Sequence, residues 1–267
     1  MVSVTISYDL REKEECALTN LKNKVALVTG SGRGIGKAIA ERYASLGADI
    51  IINYTNNKES AEITVSNILK YGVKAMAIQG DISKVKEVRN LFATSLKEFG
   101  KIDIVVANAG IELVNLPTLD ITEEQFDNLF AINTKGAFFT IQEAAKHVAN
   151  NGRIIYISSS TTTSALAGYS LYGSSKLAPM YLVEVLAKEI GHRGVTVNTI
   201  VPTAIEGAGV WTNPEDRADF KDKFIQMHPM KRLGTLDDVA NVAEFFASDL
   251  SSFVSGQCLL ISGGALQ

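Results

Sequence analysis

Tyr172 and Lys176 lie four positions apart, and Ser159 precedes the tyrosine by thirteen. On a helix, residues at i and i+4 share a face, so the phenol and the ammonium can project into one pocket. A tyrosine hydroxyl ionises near pH 10, at about the reference value, and is a poor proton-transfer group at neutrality. A neighbouring cation favours the phenolate and lowers that value. The pair is then a proton-transfer device, provided something nearby supplies a hydride. Spacing alone is weak, because Tyr54 and Lys58 repeat it, and that second copy reads as coincidence. Context separates the two. Ser159 follows the apolar run Ile154, Ile155, Tyr156 and Ile157, which reads as a buried strand. Its hydroxyl then sits at a strand's carboxyl end, where open α/β sheets bind ligands.

The elements that position these groups alternate from Lys24 onward. Strands are expected over residues 25–29, 49–54, 75–79, 104–107, 153–158, 196–201 and 259–262, with helical stretches between them. Thr122 with Gln125, and Thr235 with Asp238, have the spacing of capping boxes that start helices. Short apolar strands joined by helical crossovers imply a parallel sheet covered on both faces. The expectation is an α/β fold, a single-domain doubly wound Rossmann-type sheet of about seven strands. Residues 1–20 read as an N-terminal arm, poorly ordered or strapped onto the body, and 21–267 as one dinucleotide-binding catalytic domain.

Composition narrows the function. The 267 residues carry a net charge of −3, with no basic patch for a phosphate backbone, so a nucleic-acid partner is not expected. No apolar stretch reaches the roughly 18 residues of a membrane span, and charges at Asp9, Arg11, Glu12, Lys13, Glu14 and Glu15 interrupt any leader peptide. Cys16 and Cys258 are far apart, and His147, His192 and His228 form no cluster. A reducing cytoplasm and no metal site are the expectation.

The first expected strand runs into Gly30, Ser31, Gly32, Arg33, Gly34, Ile35 and Gly36, then into a helix expected over 37–46. Glycines there permit a tight turn and let the backbone approach a pyrophosphate at the helix N-terminus. After the second strand an acid would grip a ribose 2′-hydroxyl. Here the stretch reads Ile52, Asn53, Tyr54, Thr55, Asn56, Asn57 and Lys58, with no carboxylate. Arg33, Thr55 and Asn56 instead suit a 2′-phosphate, so NADP(H) is preferred, with NAD(H) still open.

Taken together, these residues resemble the short-chain dehydrogenase/reductase family from Lys24 to Gly264. The pattern is nearest to its 3-oxoacyl-carrier-protein reductases and polyhydroxynaphthalene-type ketoreductases. The resemblance implies that Asp81 and Ile82 flank adenine, and that Asn108, Ala109 and Gly110 form the Asn-Ala-Gly motif after the fourth strand. It further implies that Asn133 holds a relay water, that Asn133, Ser159, Tyr172 and Lys176 form the catalytic set, and that Pro202 and Ile205 lie at the nicotinamide carboxamide. Thr203, Gly207 and Ser262 depart from the family pattern, which has Pro-Gly, a later Thr and Asp-Gly-Gly at these places. The implied activity is NADPH-dependent reduction of a ketone to a secondary alcohol, with Tyr172 as general acid and Lys176 binding the nicotinamide ribose. A 3-oxoacyl thioester leads among substrates. A polyketide or xenobiotic ketone, or alcohol oxidation, is the alternative, and a non-catalytic NADP(H)-binding sensor is the alternative of another class. The segment 206–228, with Gly207, Gly209, Trp211 and Pro214, takes the place of the family's substrate lid. Glu112, Leu166 and Tyr169 are candidate pocket walls. The resemblance also implies a homotetramer, or a homodimer, built on the helices bearing Asn133 and Tyr172.

Overall fold

Short apolar runs form seven strands that pair into one parallel sheet in the order β3-β2-β1-β4-β5-β6-β7. The computed structural model describes residues 19–212 and 218–265. The expected arm therefore falls outside the described residues except for Thr19 and Asn20, and so do Cys16 and Pro214. The strands are β1 (Val25–Val28), β2 (Asp49–Tyr54), β3 (Ala75–Gln79), β4 (Ile104–Ala107), β5 (Arg153–Ile157), β6 (Thr196–Pro202) and β7 (Cys258–Ile261). Central register is set by Leu27 opposite Ile51 and Val105, and by Val105 opposite Ile154. Strand order reverses between β1 and β4, and that switch point opens a crevice at the carboxyl ends of the strands.

Side chains alternate across a strand, so β1 feeds two cores. Ala26 and Val28 pack with Ile39, Tyr43, Val239 and Phe246 on one face, and Val25 and Leu27 with Leu91, Phe92, Ile141 and Val183 on the other. The first face is covered by α1 (Gly34–Ser45), α2 (Lys58–Leu69) and α8 (Leu236–Ala247). The second is covered by α3 (Val85–Phe99), α5 (Ala137–His147) and α6 (Ser170–Ile190). Two further helices, α4 (Glu123–Phe130) and α7 (Ala218–Met227), lie in the connections above the carboxyl ends. The expected doubly wound sheet is what forms, and both capping boxes close on their helices, Thr122 with Gln125 and Thr235 with Asp238. The first helix begins at Gly34 and not at Lys37, because Arg33 is already its N-cap and its carbonyl accepts the Lys37 N–H.

Two irregularities bear on the site. Between α4 and α5 the chain makes a π-helical turn, Ala131–Gly136, that buries Asn133. Such turns accommodate an extra residue and concentrate at functional sites. The long helix α6 contains Pro179, which lacks an N–H and so frees the carbonyl of Ser175 one turn back. Thr134 of the π turn donates its hydroxyl to that carbonyl at 2.9 Å.

Candidate active site

The turn after β1 is shaped for close approach. Gly30 has φ +61°, and a Cβ there would lie 2.8 Å from the Ala109 Cα, so only glycine fits. Asn108 ties the two loops together by donating its amide to the carbonyls of Thr29 and Gly30. A Cβ at Gly36 would meet that amide nitrogen at 2.5 Å. Ser31 is buried and donates its hydroxyl to the Val28 carbonyl, while its N–H binds the Asn53 carbonyl. The first turn of α1 then presents N–H groups that have no helical acceptor. Its N-cap, Arg33, offers no side-chain bond, whereas α2, α4 and α8 are capped by Asn57, Thr122 and Thr235. An uncapped helix start beside glycines is the donor set a pyrophosphate takes.

At the adenosine end, Asn53 is buried with its amide bonded to the Gly80 carbonyl at 3.0 Å, so it braces the turn from within. Asn57 caps α2 by accepting the Ser60 N–H. Thr55 and Asn56 remain on the surface beyond β2, and Arg33 is exposed with no ion pair among the described residues. Asp81 and Ile82 follow β3. The Asp81 carboxylate accepts the Ser83 N–H and pairs with Lys84. Burial pushes its pKa up, but these partners outweigh it and the net direction is down. Ile82 is buried against Gly136.

The proton-transfer groups gather at the carboxyl end of β5. Tyr172 is 8% exposed and Lys176 4%, both on α6. Ser159 follows β5, accepts the Thr161 hydroxyl at 3.0 Å and lies close enough to the Tyr172 phenol to favour its ionised form. The Lys176 ammonium donates to the Ile157 carbonyl at 3.1 Å and lies 5.6 Å from the centre of the Tyr156 ring. An ammonium has three donors, so the others can serve a ligand. A Cβ at Gly110 would fall 2.9 Å from the Lys176 nitrogen and 3.1 Å from the Asn133 Oδ1. Glycine at that position lets the β4 loop, the π turn and α6 meet.

Asn133 is fully buried. Its amide donates to the Ile111 carbonyl and to the Ser175 hydroxyl, and its oxygen accepts the Ile111 N–H at 2.9 Å. Ser175 in turn donates to the Tyr172 carbonyl. The side chain of Asn133 is thus occupied in fixing the β4 loop to the helix that carries Tyr172. Sequence reasoning missed Thr134, Ser175 and Ile111 as the supports of this arrangement. Pro179, a proline inside an apolar helical pattern, is the sequence signal that could have flagged the freed Ser175 carbonyl taken by Thr134; nothing local signals Ile111.

One expectation is corrected. Tyr172 is not acidified: burial raises its pKa, the Glu112 carboxylate raises it further, and Ser159 only partly opposes them. Lys176 does not reverse this, because its own burial pushes it down to about 8 against a weaker opposing pull from Glu112. Desolvation disfavours both charged forms. At neutral pH the phenol therefore holds its proton.

Pro202 ends β6, Thr203 donates its N–H to the Ile261 carbonyl, and Ile205 is buried and bridged to Gly234. From there the segment turns through Gly207 to a single 3-10 turn, Gly209–Trp211. Trp211 packs on Phe224 with ring centres 5.4 Å apart, beside Ala204 and Leu233. Leu113, Val114 and Tyr169 pack with Leu171 and Tyr172, while Leu166 is largely exposed. Among the described residues, no helix is long and apolar enough to cross a membrane and no group of three acidic, His or Cys side chains could hold a metal.

Residues 30–265 match a family model described as enoyl-(acyl carrier protein) reductase. The hydroxynaphthalene reductase-like protein Arp2 of Metarhizium majus is 38% identical over 258 residues, covering 92% of this chain and 96% of that protein. Among solved structures, a short chain dehydrogenase from Burkholderia cenocepacia J2315 in complex with NADP superposes with TM-score 0.84 at 35% identity, covering 92% of this chain and 98% of its own. The promiscuous reductase LugOII, which catalyses keto-reduction at C1 during lugdunomycin biosynthesis, superposes with TM-score 0.86 at 35% identity, covering 93% of this chain and all of its own. The chain belongs to the short-chain dehydrogenase/reductase family. It is an oxidoreductase acting on the CH–OH/C=O pair.

Proposed function

We propose that this protein uses NADPH to reduce a cyclic aromatic ketone of the hydroxynaphthalene type to the secondary alcohol, with Tyr172 as general acid. The observation that carries this reading is the gathering of half-buried Ser159 with buried Tyr172 and Lys176 at the carboxyl end of β5. NADPH, when bound, would supply the hydride needed at the carbonyl carbon. Tyr172, protonated at neutral pH, gives its proton to the carbonyl oxygen. Ser159 donates a hydrogen bond to that oxygen as negative charge develops, which is worth most in a water-poor site. Lys176 steadies the phenolate left behind and hydrogen-bonds the nicotinamide ribose. Asn133 acts by holding Ile111 and Ser175.

The dinucleotide would be held by the 30–36 turn, with the N–H groups of Gly34, Ile35 and Gly36 on the pyrophosphate. Arg33, Thr55 and Asn56 would take the 2′-phosphate, and Asp81 and Ile82 the adenine. Asn108, Ala109 and Gly110 shape the floor, and Pro202 and Ile205 border the carboxamide. The aromatic-ketone class is supported by the relatives' names and by the Leu113, Val114 and Tyr169 wall beside Tyr172. A thioester-borne ketone is the second reading, favoured by the acyl-carrier-protein description of the matching family model. We further propose a cytoplasmic homotetramer of one catalytic domain per chain. The apolar residues Phe138, Leu177 and Tyr181, exposed on α5 and α6, support a contact between copies.

The test follows NADPH absorbance with 2-tetralone, a hydroxynaphthalene-derived ketone and an acetoacetyl thioester. The aromatic ketones should show the higher kcat/KM, and NADPH should exceed NADH at least tenfold. Faster turnover of the thioester would replace the substrate class, and equal use of both cofactors would remove Arg33, Thr55 and Asn56 from their role.

A further inference from the structure

Glu112 stands where three parts of the site meet. Its backbone neighbour Ile111 is clamped by both functions of the Asn133 amide, so the residue departs from a fixed point at the end of β4. Its carboxylate Oε2 accepts the Val210 N–H at 2.7 Å, the middle residue of the Gly209–Trp211 turn. Gly209 has φ +53°, and a Cβ there would overlap the same oxygen. Any other residue at 209 would thus be strained and would push the turn off the carboxylate. The next residue, Trp211, is buried in the Ala204, Leu233 and Phe224 patch. The charge of Glu112 also reaches the reacting pair, acting on both Tyr172 and Lys176.

We infer that Glu112 is a positioning and charge-selecting residue, whose carboxylate latches the Gly209–Trp211 turn beside Tyr172 and disfavours anionic ketones. A charged hydrogen-bond acceptor holds a backbone N–H more firmly than a neutral one, so the latch keeps the substrate segment seated before substrate arrives. The same negative charge meets the substrate. Glu112 is exposed, so a carboxylate on the substrate within about 6 Å of it would be disfavoured about threefold to tenfold in that water-rich setting. A neutral phenolic ketone escapes this penalty. The inference rests on the assignment of Tyr172 and Lys176 as the reacting groups, but the latch itself can be read without turnover.

Trp211 is the only tryptophan in the chain, so its fluorescence reports the seating of the turn. In the free protein, Glu112→Ala should red-shift the emission and raise acrylamide quenching about twofold. Glu112→Gln, whose amide oxygen can still accept the Val210 N–H, should recover most of that change. In turnover, Glu112→Ala should raise KM for 2-tetralone about tenfold with a smaller change in kcat, and Glu112→Gln should recover most of the rise. Both variants should lose most of the preference for 2-tetralone over a ring-carboxylated 2-tetralone. Wild-type fluorescence in both variants would overturn the latch, and an unchanged preference would overturn the charge selection. Should Glu112→Ala fold poorly by circular dichroism, Gly209→Ala breaks the contact from the other side and should give the same quenching, with normal quenching overturning the latch. Full turnover in Tyr172→Phe would instead defeat the assignment of the reacting pair and leave the fluorescence result standing.

Discussion

The chain contains Tyr-x-x-x-Lys twice, and the two copies ended up in opposite surroundings. Tyr54 closes β2 and Lys58 opens α2, with the Asn57 cap between them. They share no helix face, and Lys58, 70% exposed, pairs with Glu62 at 3.3 Å. Tyr172 and Lys176 ride on one helix and are both buried. The same spacing is a surface accident in one place and a buried pair on one helix in the other. Burial makes the difference, since it sets the protonation of both groups and confines their remaining hydrogen-bonding capacity to a ligand.

The largest test of that contrast removes one oxygen. Tyr172→Phe should lower kcat by about 10²–10⁴, the usual contribution of general-acid help. The dissociation constant for NADPH, followed by fluorescence titration, should stay within a few-fold. A variant that keeps a tenth of wild-type turnover would erase the distinction between the two copies.

A pH profile sharpens the contrast from the lysine side. With Lys176 pushed down to about 8 by burial, the ammonium is present below that value and lost as pH rises through it. In the free enzyme, kcat/KM should accordingly fall above about pH 8, because that ratio reports the groups of the unliganded protein. Lys176→Met should lose this limb along with about 10²-fold or more of the activity at pH 7, a loss of the general-acid size. A limb that appears only above pH 10 would mean that burial does not depress the Lys176 ammonium.

The same contrast shows what could be read from sequence. Strands were legible because each is a short, largely apolar run, mostly of Val and Ile but of Ala, Met and Leu at β3 and β7, and their ends move by only a residue at β1, β5, β6 and β7. The capping boxes were legible because their chemistry is local. The supports of the site were not. Helical periodicity does not reveal a π turn, and the bond from Thr134 to the Ser175 carbonyl joins positions 41 apart in sequence. Asn53 reads as one of several neutral donors around the end of β2, yet at 1% exposure it is turned inward. The direction of the Tyr172 shift was missed for a related reason. Spacing discloses the neighbouring cation, while desolvation depends on the whole fold around it.

The smallest expected effect lies at the other copy. Lys58→Ala removes an exposed i,i+4 pair, worth about 0.3–0.5 kcal/mol, and also a cation from the first turn of α2, where the helix dipole disfavours one. The two contributions oppose each other, so the melting temperature should move by no more than about 2 °C. With no helix face shared with Tyr54, the lysine has no route to the proton-transfer step, and kcat should equal that of the wild type. Its place two residues beyond Asn56 allows one informative exception. A rise in KM for NADPH with KM for NADH unchanged would assign Lys58 to the 2′-phosphate alongside Arg33. A fall in kcat would do something different, because it would mean that the exposed copy reaches the chemistry and that burial is not what separates the two.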